Sequence, residues 1–431
     1  MGKRRRALRI VVFAATILVG LTQAKGKILA QWVELGSDGS SSVRAITEDA
    51  CPAVMFDGVA VPMNVRSDPT QKFSAVTPAE FPVRGCEVAV PVGSVTAMLD
   101  SKPLPLPRAN SQRIVMFGDT GCRLKIGDPW QACNNPAAWP FPKVAALAAA
   151  AHPDLMIHLG DYEYREWPCP AGNAGCAGSP YGYGWDAWNA DFFQPAAPLF
   201  AAAPWVMVRG NHENCDRAGE GWFRFLDRLP MEQSCRDLTG DFVVRLGDFG
   251  LVVVDSGRVY DGAGEDSEQV PILRRQFNDV LAKIPDYAWL TTHKPVNAML
   301  ANPGDPKVNI VSNKVLQAAL GPEMPASVSM VVSGHIHFFQ AVDFGGVRPP
   351  QLVVGTGGDN LEGMPVAGVI GADINGLKAA NAVTYSGFAY MVWDRLNRNI
   401  WSGTLFDTGG MPINKCHLAD RSLSCGSLSK P

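Results

Sequence analysis

Residues 155–164 read Leu-Met-Ile-His-Leu-Gly-Asp-Tyr-Glu-Tyr. The first five residues are mostly apolar, which is typical of a short strand buried on both faces of a sheet. Gly160 then suits a tight turn, and the oxygen donors of Asp161 and Tyr164 follow it. Because loops at the carboxyl ends of strands converge on one crevice, the stretch predicts an α/β sheet with a site at its edge.

Four further stretches repeat this order of an apolar run followed by polar residues. Each polar stretch alone could be an ordinary turn, but five in succession are hard to explain as accidents. Carboxylate, amide, phenolate and imidazole groups together are the donors that hard or borderline metals need. The apolar runs are residues 114–117, 205–208, 288–290 and 328–332, and the polar stretches after them are Asp119-Thr120-Gly121, Gly210-Asn211-His212-Glu213, Thr291-Thr292-His293 and Gly334-His335-Ile336-His337.

In these motifs the chain resembles the purple acid phosphatases, a group within the calcineurin-like metallophosphoesterases. Gly121 stands where most of the superfamily has a His ligand. Tyr164 stands three residues after Asp161, where the purple enzymes place their tyrosinate. The similarity covers roughly residues 113–340 and departs at Phe338-Phe339, where plant members have Tyr-Glu-Arg.

The resemblance implies an α/β fold, namely a two-sheet β-sandwich flanked by helices. It also implies two metal ions, Fe(III) and a divalent Zn, Fe or Mn ion. Phenolate and carboxylate donors suit the ferric ion, and an amide with two imidazoles suits the divalent one. The implied ligands are Asp119, Tyr164 and His337 for the ferric ion, Asn211, His293 and His335 for the divalent ion, and Asp161 as the bridge.

The implied activity is hydrolysis of phosphomonoesters by a metal-bound hydroxide, with the two ions about 3.5–4 Å apart. His212 is expected to act as general acid for the leaving group. Glu213 is expected to hold an imidazole in orientation. The same metal core would serve a phosphodiesterase or a nucleotide-directed hydrolase, which the motifs do not separate. A secreted metal-binding protein without catalysis is a third hypothesis, and the complete ligand set with His212 argues against it.

The remaining histidines and a Gly-rich stretch are expected to have structural roles. His158 lies inside an apolar run and predicts a core histidine, whereas His152 and His417 are expected at the surface. The stretch Gly355-Thr356-Gly357-Gly358-Asp359 lacks the Lys and the helix start of a phosphate-binding loop. It predicts a turn near the site.

The first 24 residues predict a secretory signal peptide. A basic run, Lys3 to Arg6 with Arg9, precedes the apolar residues 10–21 and a cleavage site at Thr22-Gln23-Ala24. The apolar stretch is shorter than the roughly 20 residues of a membrane span, and no Cys follows it closely. An uncleaved anchor and a lipoprotein are therefore disfavoured, and a secreted or periplasmic protein is expected.

Charge restricts the possible partners. The chain has 38 basic and 41 acidic residues, and removal of the signal peptide leaves 33 basic against 41 acidic, a net charge of about −8. Such a surface does not attract nucleic acid or an anionic membrane through charge alone. The expected partner is a small phosphorylated substrate, with no nucleic acid and no membrane anchor after signal cleavage.

Ten cysteines in an exported chain predict disulfides. A cysteine-rich zinc site would show close paired spacings that are missing here. Pairing between neighbours is a hypothesis, because connectivity does not follow from sequence alone. The neighbouring couples are Cys51 with Cys86, Cys122 with Cys133, Cys169 with Cys176, Cys215 with Cys235, and Cys416 with Cys425.

The chain is expected to form two domains after the signal peptide. Residues 31–108 predict a small β domain ending in the Pro-rich linker 101–108, and residues 109–431 predict the metallophosphoesterase domain. An insertion at 165–190 carries several aromatic residues, which would either wall the substrate site or pack on the domain surface. Elsewhere the second domain predicts helices at 143–151 and 268–284, and strands at 351–354, 388–393 and 400–405.

Overall fold

The structure is a computed structural model that describes residues 27–427 except 75, 76, 78, 303, 322 and 367. The predicted signal peptide, residues 1–24, lies outside the described residues. Within the described part of the chain, none of the helices has the length and apolar character needed to cross a bilayer.

Strands make up most of the regular structure. Before residue 109 they are β1 (Ile28–Leu35), β2 (Ser41–Thr47), β3 (Ala53–Phe56), β4 (Val59–Pro62), β5 (Asn64–Ser67), β6 (Arg84–Ala89), β7 (Ala97–Leu99) and β8 (Lys102–Pro103). After it they are β9 (Arg113–Phe117), β10 (Leu155–His158), β11 (Trp205–Met207), β12 (Phe242–Leu246), β13 (Phe249–Val254), β14 (Tyr287–Thr292), β15 (Ala298–Asn302), β16 (Asp305–Ser312), β17 (Val328–Ser333), β18 (Phe339–Asp343), β19 (Gln351–Val354), β20 (Asp373–Ile374), β21 (Leu377–Lys378), β22 (Asn381–Tyr385), β23 (Ala389–Asn397), β24 (Ile400–Asp407), β25 (Pro412–Ala419) and β26 (Ser422–Ser427).

The helices lie in the second part of the chain. They are α1 (Phe141–Ala150), α2 (Trp185–Trp188), α3 (Ala197–Phe200), α4 (Gly219–Gly221), α5 (Gln269–Leu281) and α6 (Lys314–Leu320). π-helical turns follow α2 at Asn189–Phe193 and α4 at Trp222–Leu226, and a 3-10 turn lies at Ser37–Gly39. The predicted helices correspond to α1 and α5, and the predicted late strands correspond to β19, β23 and β24.

Two large sheets carry the fold. The first has the order β26-β25-β24-β23-β9-β10-β11-β1-β2-β6-β5, and the second has the order β12-β13-β14-β17-β19-β18-β22. Strands β9, β10 and β11 are parallel in the first sheet, as are β13, β14, β17 and β19 in the second. All five predicted apolar runs before the polar stretches are strands of these parallel sets.

The sheets pack face to face because both faces of their central strands are apolar. Successive side chains of a strand point to opposite faces. On β9, Met116 joins the core between the sheets, whereas Phe117 joins the core shared with α1 and α3. On β14, Trp289 joins the core between the sheets, whereas Leu290 packs with α5 and α6. The layers are therefore helix, sheet, sheet, helix, which is the predicted sandwich.

The N-terminal region is β structure, as predicted, and much of it continues the first sheet. Strand β1 pairs in parallel with β11, with Glu34 opposite Trp205, and β2, β6 and β5 extend the sheet beyond it. Strands β4, β3, β7 and β8 form a separate small sheet, in that order. Val54 of this sheet shares a core with Val43 of β2. A domain boundary between residues 108 and 109 stays a prediction.

The disulfides join the predicted neighbours in every case. The bonds are Cys51–Cys86, Cys122–Cys133, Cys169–Cys176, Cys215–Cys235 and Cys416–Cys425.

Asp241, just before β12, gives the fold a specific pH dependence. Its Oδ2 is buried without a hydrogen-bond partner among the described residues. Burial raises the pKa of Asp241 to about 7. The N–H of Asp255 acts against this rise, and the negative charge of the Asp255 carboxylate adds to it. The folded protein thus keeps a proton that the unfolded chain releases above about pH 4. Stability therefore falls as the pH rises from about 4 to about 7.

Replacing Asp241 by Asn should remove this loss. We expect Asp241→Asn to match the parent near pH 4 and to exceed it at pH 8 by about 4 kcal/mol in the free energy of unfolding. Urea unfolding at the two pH values measures the difference, with Asp279→Asn on the exposed face of α5 as control. An advantage of Asp241→Asn that is equal at both pH values would contradict the expectation.

Candidate metal centre

Polar loops begin where β9, β10, β11, β14 and β17 end, and three predicted ligands lie in unusual backbone conformations. Asp119, Asp161 and His335 have φ angles of 60°, 58° and 70°. Residues other than glycine rarely adopt this left-handed region, which costs about 1–3 kcal/mol where it is enforced. Such outliers cluster at functional sites, and here all three follow parallel strands of the two facing sheets.

Close packing of these loops explains two glycines. A Cβ atom on Gly121 would lie 2.8 Å from both the backbone N and the ring Cδ2 of Tyr164. A Cβ atom on Gly210 would overlap the carboxylate of Asp161. Gly121 therefore leaves the space that Tyr164 occupies.

One group of side chains meets at the phenol of Tyr164. The hydroxyl lies 2.9 Å from Oδ2 of Asp161, 3.2 Å from Oδ1 of Asp119 and 3.1 Å from Nε2 of His337. All four residues are buried. These are the residues predicted to hold the ferric ion, together with the predicted bridge.

A second group lies next to the first. Asp161, His293 and His335 each offer one ligand atom, and these atoms lie within 4.8 Å of one another. Nε2 of His293 is 3.2 Å from Oδ2 of Asp161 and 3.0 Å from Oδ1 of Asn211. The two groups thus share Asp161, and the seven predicted ligands come together at one edge of the sandwich.

Backbone carbonyls orient two of the imidazoles. Nδ1 of His293 lies 2.7 Å from the carbonyl oxygen of Leu159, and Nδ1 of His337 lies 2.8 Å from that of Asn360. A carbonyl accepts only from N–H, so each ring carries its proton on Nδ1 and keeps Nε2 for a metal.

Glu213 has a different contact from the one expected. Its hydrogen bonds within the described residues go to backbone N–H groups rather than to an imidazole. Oε2 accepts from the amides of Gly210 and Asp161 at 3.0 and 3.1 Å, and Oε1 accepts from the amide of Tyr162 at 2.9 Å. Glu213 thus ties the loop after β10 to the loop after β11, and it acts on the ligands through the backbone.

His212 lies beside the Tyr164 group, with its ring centroid 3.7 Å from that of Tyr164. Nδ1 is 3.0 Å from Oε1 of Glu166, and Nε2 faces Asp161, 4.0 Å from Oδ2. Burial lowers the pKa of His212 and the charge of Arg217 lowers it further, to about 4, although both carboxylates oppose this. With this pKa the ring carries the proton that a general acid donates mainly in acidic solution.

Similarity to known proteins shows the family of the chain. No curated protein matches the sequence significantly. The model of the calcineurin-like phosphoesterase family matches residues 112–339, which is more than half of the chain. The chain belongs to the calcineurin-like phosphoesterases. It is therefore a phosphoric ester hydrolase of the metallophosphoesterase class, and the matched residues agree with the range expected from the motifs.

Solved structures with a similar fold include a purple acid phosphatase and PhoD. The purple acid phosphatase, PPD1 from yellow lupin seeds, is 14% identical with a TM-score of 0.57 over 93% of this chain and 74% of that chain. PhoD is 12% identical with a TM-score of 0.52 over 93% of this chain and 92% of that chain. At these identities the likeness concerns the fold, which is that of a purple acid phosphatase-like metallophosphoesterase.

The donor groups of this phosphoesterase suit a bound cation. Burial alone would lower the pKa of His293, but the carboxylates of Asp161 and Asp119 raise it to about 9. Burial and the same two carboxylates hold the pKa of the Tyr164 phenol well above its usual value. The carboxylates thus disfavour a second negative charge beside them, and a tyrosinate here requires a cation at its oxygen.

Two nearby side chains that could also have served as ligands, Tyr162 and His158, contact other residues instead. The Tyr162 hydroxyl donates to the carbonyl of Val208 at 3.0 Å, and its ring stacks on His158 in the core. His158 is buried and bonds Thr120 Oγ1 through Nε2 at 2.9 Å, which confirms it as a satisfied core histidine. The predicted surface histidines are both exposed, namely His152 and His417.

The Gly-rich stretch is a turn beside the site of the phosphoesterase, as predicted. The amide of Asp359 donates to the carbonyl of Asp119 at 2.9 Å, and Oδ2 of Asp359 lies 3.5 Å from Nδ1 of His337. Arg123 donates from Nε to Asp359 at 3.0 Å and lies 5.1 Å from the ring centroid of Tyr164. Neither Arg123 nor Asp359 was predicted to contact the ligands, because they are 236 residues apart in sequence.

Further residues of the site escaped the sequence interpretation. Asp261 lies 3.5 Å from Nε2 of His335 and 2.5 Å from Nζ of Lys294. Glu166 and Arg217 flank His212. Glu166 comes two residues after Tyr164, a spacing that could have pointed to it, whereas Arg217 and Asp261 lie in loops without a recognisable pattern.

The aromatic residues of the insertion are divided between the core and the surface. Trp185 and Trp188 are buried among the side chains under the first sheet, so these two pack rather than wall a site. Tyr183 is half-buried and its hydroxyl donates to Oε2 of Glu166 at 3.2 Å, which links the insertion to His212. Trp167 and Tyr181 are exposed.

Proposed function

We propose that the protein is an exported phosphomonoesterase of the purple acid phosphatase type, with Fe(III) and a divalent Zn, Fe or Mn ion. The observation that carries the proposal is the position of the Tyr164 phenol, within 3.2 Å of two carboxylates and an imidazole from three other loop positions. An ionised phenol with hard anionic neighbours is the donor set that Fe(III) prefers. The five disulfides support export to an oxidising compartment, secreted or periplasmic.

The ligands would divide as the motifs indicate. Asp119, Tyr164 and His337 would hold the ferric ion, and Asp161 would bridge to the second ion. That divalent ion would be held by Asn211, His293 and His335. When bound, two such ions lower the pKa of a water molecule and stabilise charge on phosphoryl oxygens.

The protein's own groups would handle the leaving group and hold the site together. His212 would give the proton on Nε2 to the departing ester oxygen, and Glu166 at Nδ1 would keep the ring oriented. Glu213 would keep the two ligand loops together through their backbone amides. The partner would be a small phosphorylated molecule, since nothing in the acidic composition favours nucleic acid.

The visible absorption spectrum of the purified mature protein tests the metal assignment. We expect a charge-transfer band that Tyr164→Phe loses. Tyr162→Phe is the matched control, because Tyr162 lies two residues away and its hydroxyl faces the core. Metal content and hydrolysis of an aryl phosphomonoester would be measured on the same samples.

Two outcomes would contradict the proposal in different parts. If the protein is colourless and hydrolyses the monoester, the metals would be Zn or Mn instead of Fe(III), and the proposal of a two-metal hydrolase would remain. A protein loaded with two metals that hydrolyses neither monoester nor diester would contradict the catalytic function itself.

A further inference from the structure

The loop after β11 places a cation against the proposed general acid. Nη2 of Arg217 lies 2.8 Å from Nδ1 and 2.9 Å from Nε2 of His212. Near-equal distances to both ring nitrogens put the guanidinium over the ring, because a nitrogen bonded in the ring plane would approach one of them alone. Nδ1 also lies 3.0 Å from Oε1 of Glu166, and Nε2 lies 4.0 Å from Oδ2 of Asp161 at the site.

Arg217 is held in this position from several sides. Its guanidinium forms an ion pair with Oε1 of Glu166, whose other oxygen accepts from the Tyr183 hydroxyl. Its backbone amide donates to the carbonyl of Asn214 at 3.0 Å, and the disulfide of Cys215 anchors the same turn. The side chain is 18% exposed, so it is partly accessible from solvent.

The charges around Arg217 leave it able to bind an anion. Glu166 is shared between Arg217 and His212, so one carboxylate serves two groups that can each be cationic. Among the hydrogen bonds within the described residues, the guanidinium uses only Nη2. By contrast, Arg123 donates from Nε, Nη1 and Nη2 to Asp359 and Asp128, and Nζ of Lys294 donates to Asp261 and to the carbonyl of Val259.

We infer that Arg217 is a substrate-binding residue that selects phosphomonoesters over diesters; the inference rests on the proposed function. The ester oxygen that accepts the proton from Nε2 of His212 would lie about 3 Å from that nitrogen. Because Nη2 of Arg217 is 2.9 Å from the same nitrogen, this oxygen would lie within about 6 Å of Nη2. A monoester carries close to two negative charges and keeps an ionised oxygen beside the leaving group. In a diester that oxygen is esterified, so it offers neither the charge nor the space for a guanidinium.

Substitution of Arg217 should therefore change the two activities unequally. In Arg217→Ala and Arg217→Gln we expect kcat/KM for an aryl phosphomonoester to fall about 100-fold, the loss typical of removing one charge-stabilising donor. We expect the rate for the corresponding bis-aryl diester to fall less than about tenfold. Arg217→Lys should recover part of the monoester rate, because it keeps the charge without the planar fork. Metal content should stay at the parent level in all three.

Two further measurements separate binding from a merely structural role. Inorganic phosphate should bind the metal-loaded Arg217→Gln protein at least about tenfold more weakly by calorimetry, which is a 1.4 kcal/mol change. Arg258→Gln is the matched control, because Arg258 pairs with Asp216 of the same turn at 3.1 Å and is 33% exposed. We expect that control to leave the activity ratio and phosphate binding unchanged.

Equal losses for monoester and diester, with unchanged phosphate binding, would overturn the inference and reduce Arg217 to a support for His212 and Glu166. A parent protein that prefers diesters would overturn it as well. If the parent hydrolyses neither substrate, the proposed function fails while phosphate binding still decides the role of Arg217. Weaker binding in Arg217→Gln than in Arg258→Gln would support the anion site, and equal binding would reject it.

Discussion

Replacing Asp161 by Asn should abolish hydrolysis and metal retention together, the largest effect expected of any substitution at the site. The carboxylate lies 2.9 Å from the Tyr164 hydroxyl and 3.2 Å from Nε2 of His293, so it is the one group that both ligand sets share. Asn keeps the size but removes the charge and one anionic oxygen. We expect kcat/KM to fall by more than about 100-fold, the loss that even an outer hydrogen-bond partner of a metal ligand can cause.

Metal content per protein and phosphomonoester hydrolysis would be measured after dialysis against buffer of low metal content. Asp154→Asn is the matched control, because Asp154 is a buried carboxylate at the opposite end of the same strand, where it accepts from the amides of Gln112 and Arg113. This control is expected to lose stability but to keep its metals and its activity per folded molecule. Full metal occupancy in Asp161→Asn would show that Asp161 is not a shared ligand.

Replacing His212 by Asn should lower kcat by about 10²–10⁴-fold while the metal content stays the same. The reason is its position, since Nε2 faces Asp161 at 4.0 Å and Nδ1 is fixed by Glu166 at 3.0 Å. General acid help matters most for a poor leaving group. The loss should therefore be greater for an alkyl phosphate than for an aryl phosphate with an acidic phenol.

Hydrolysis of both esters by the variant and by His417→Gln measures this dependence on the leaving group. His417 is exposed on β25, so its substitution changes a histidine without touching the site. A loss in His212→Asn that is the same for both leaving groups would indicate that His212 binds substrate without transferring a proton.

Local sequence patterns are sufficient for the strands that precede the ligand loops and for the positions of those loops. The run before Asp161 is apolar at successive positions because its strand is covered on both faces, Met156 on one side and Ile157 on the other. This burial is encoded residue by residue, so it can be read without knowing which strands are neighbours. The disulfides agree with the hypothesis of neighbour pairing, since each joins cysteines at most 35 residues apart.

The direction of individual side chains depends on the tertiary structure. Tyr162 and Tyr164 lie in the same loop, and only the packed structure turns the first toward the carbonyl of Val208 and the second toward Asp119. The interpretation of Glu213 as the partner of an imidazole failed for the same reason. The loops after β10 and β11 approach so closely that their amides, rather than a ring, reach its carboxylate.

The amino-acid sequence by itself determined where along the chain the strands before the ligand loops, and the loops themselves, lie. The reason is that burial and turn chemistry depend on each residue and its immediate neighbours. Only the tertiary structure decided which side chains meet across long separations. The pairing of β1 with β11 makes the N-terminal strands part of the first sheet, and the facing of the two sheets brings Asp261 to His335. The fold of the loop after β11 puts Arg217 over His212. Such meetings depend on strand order, register and loop closure, which are properties of the whole chain.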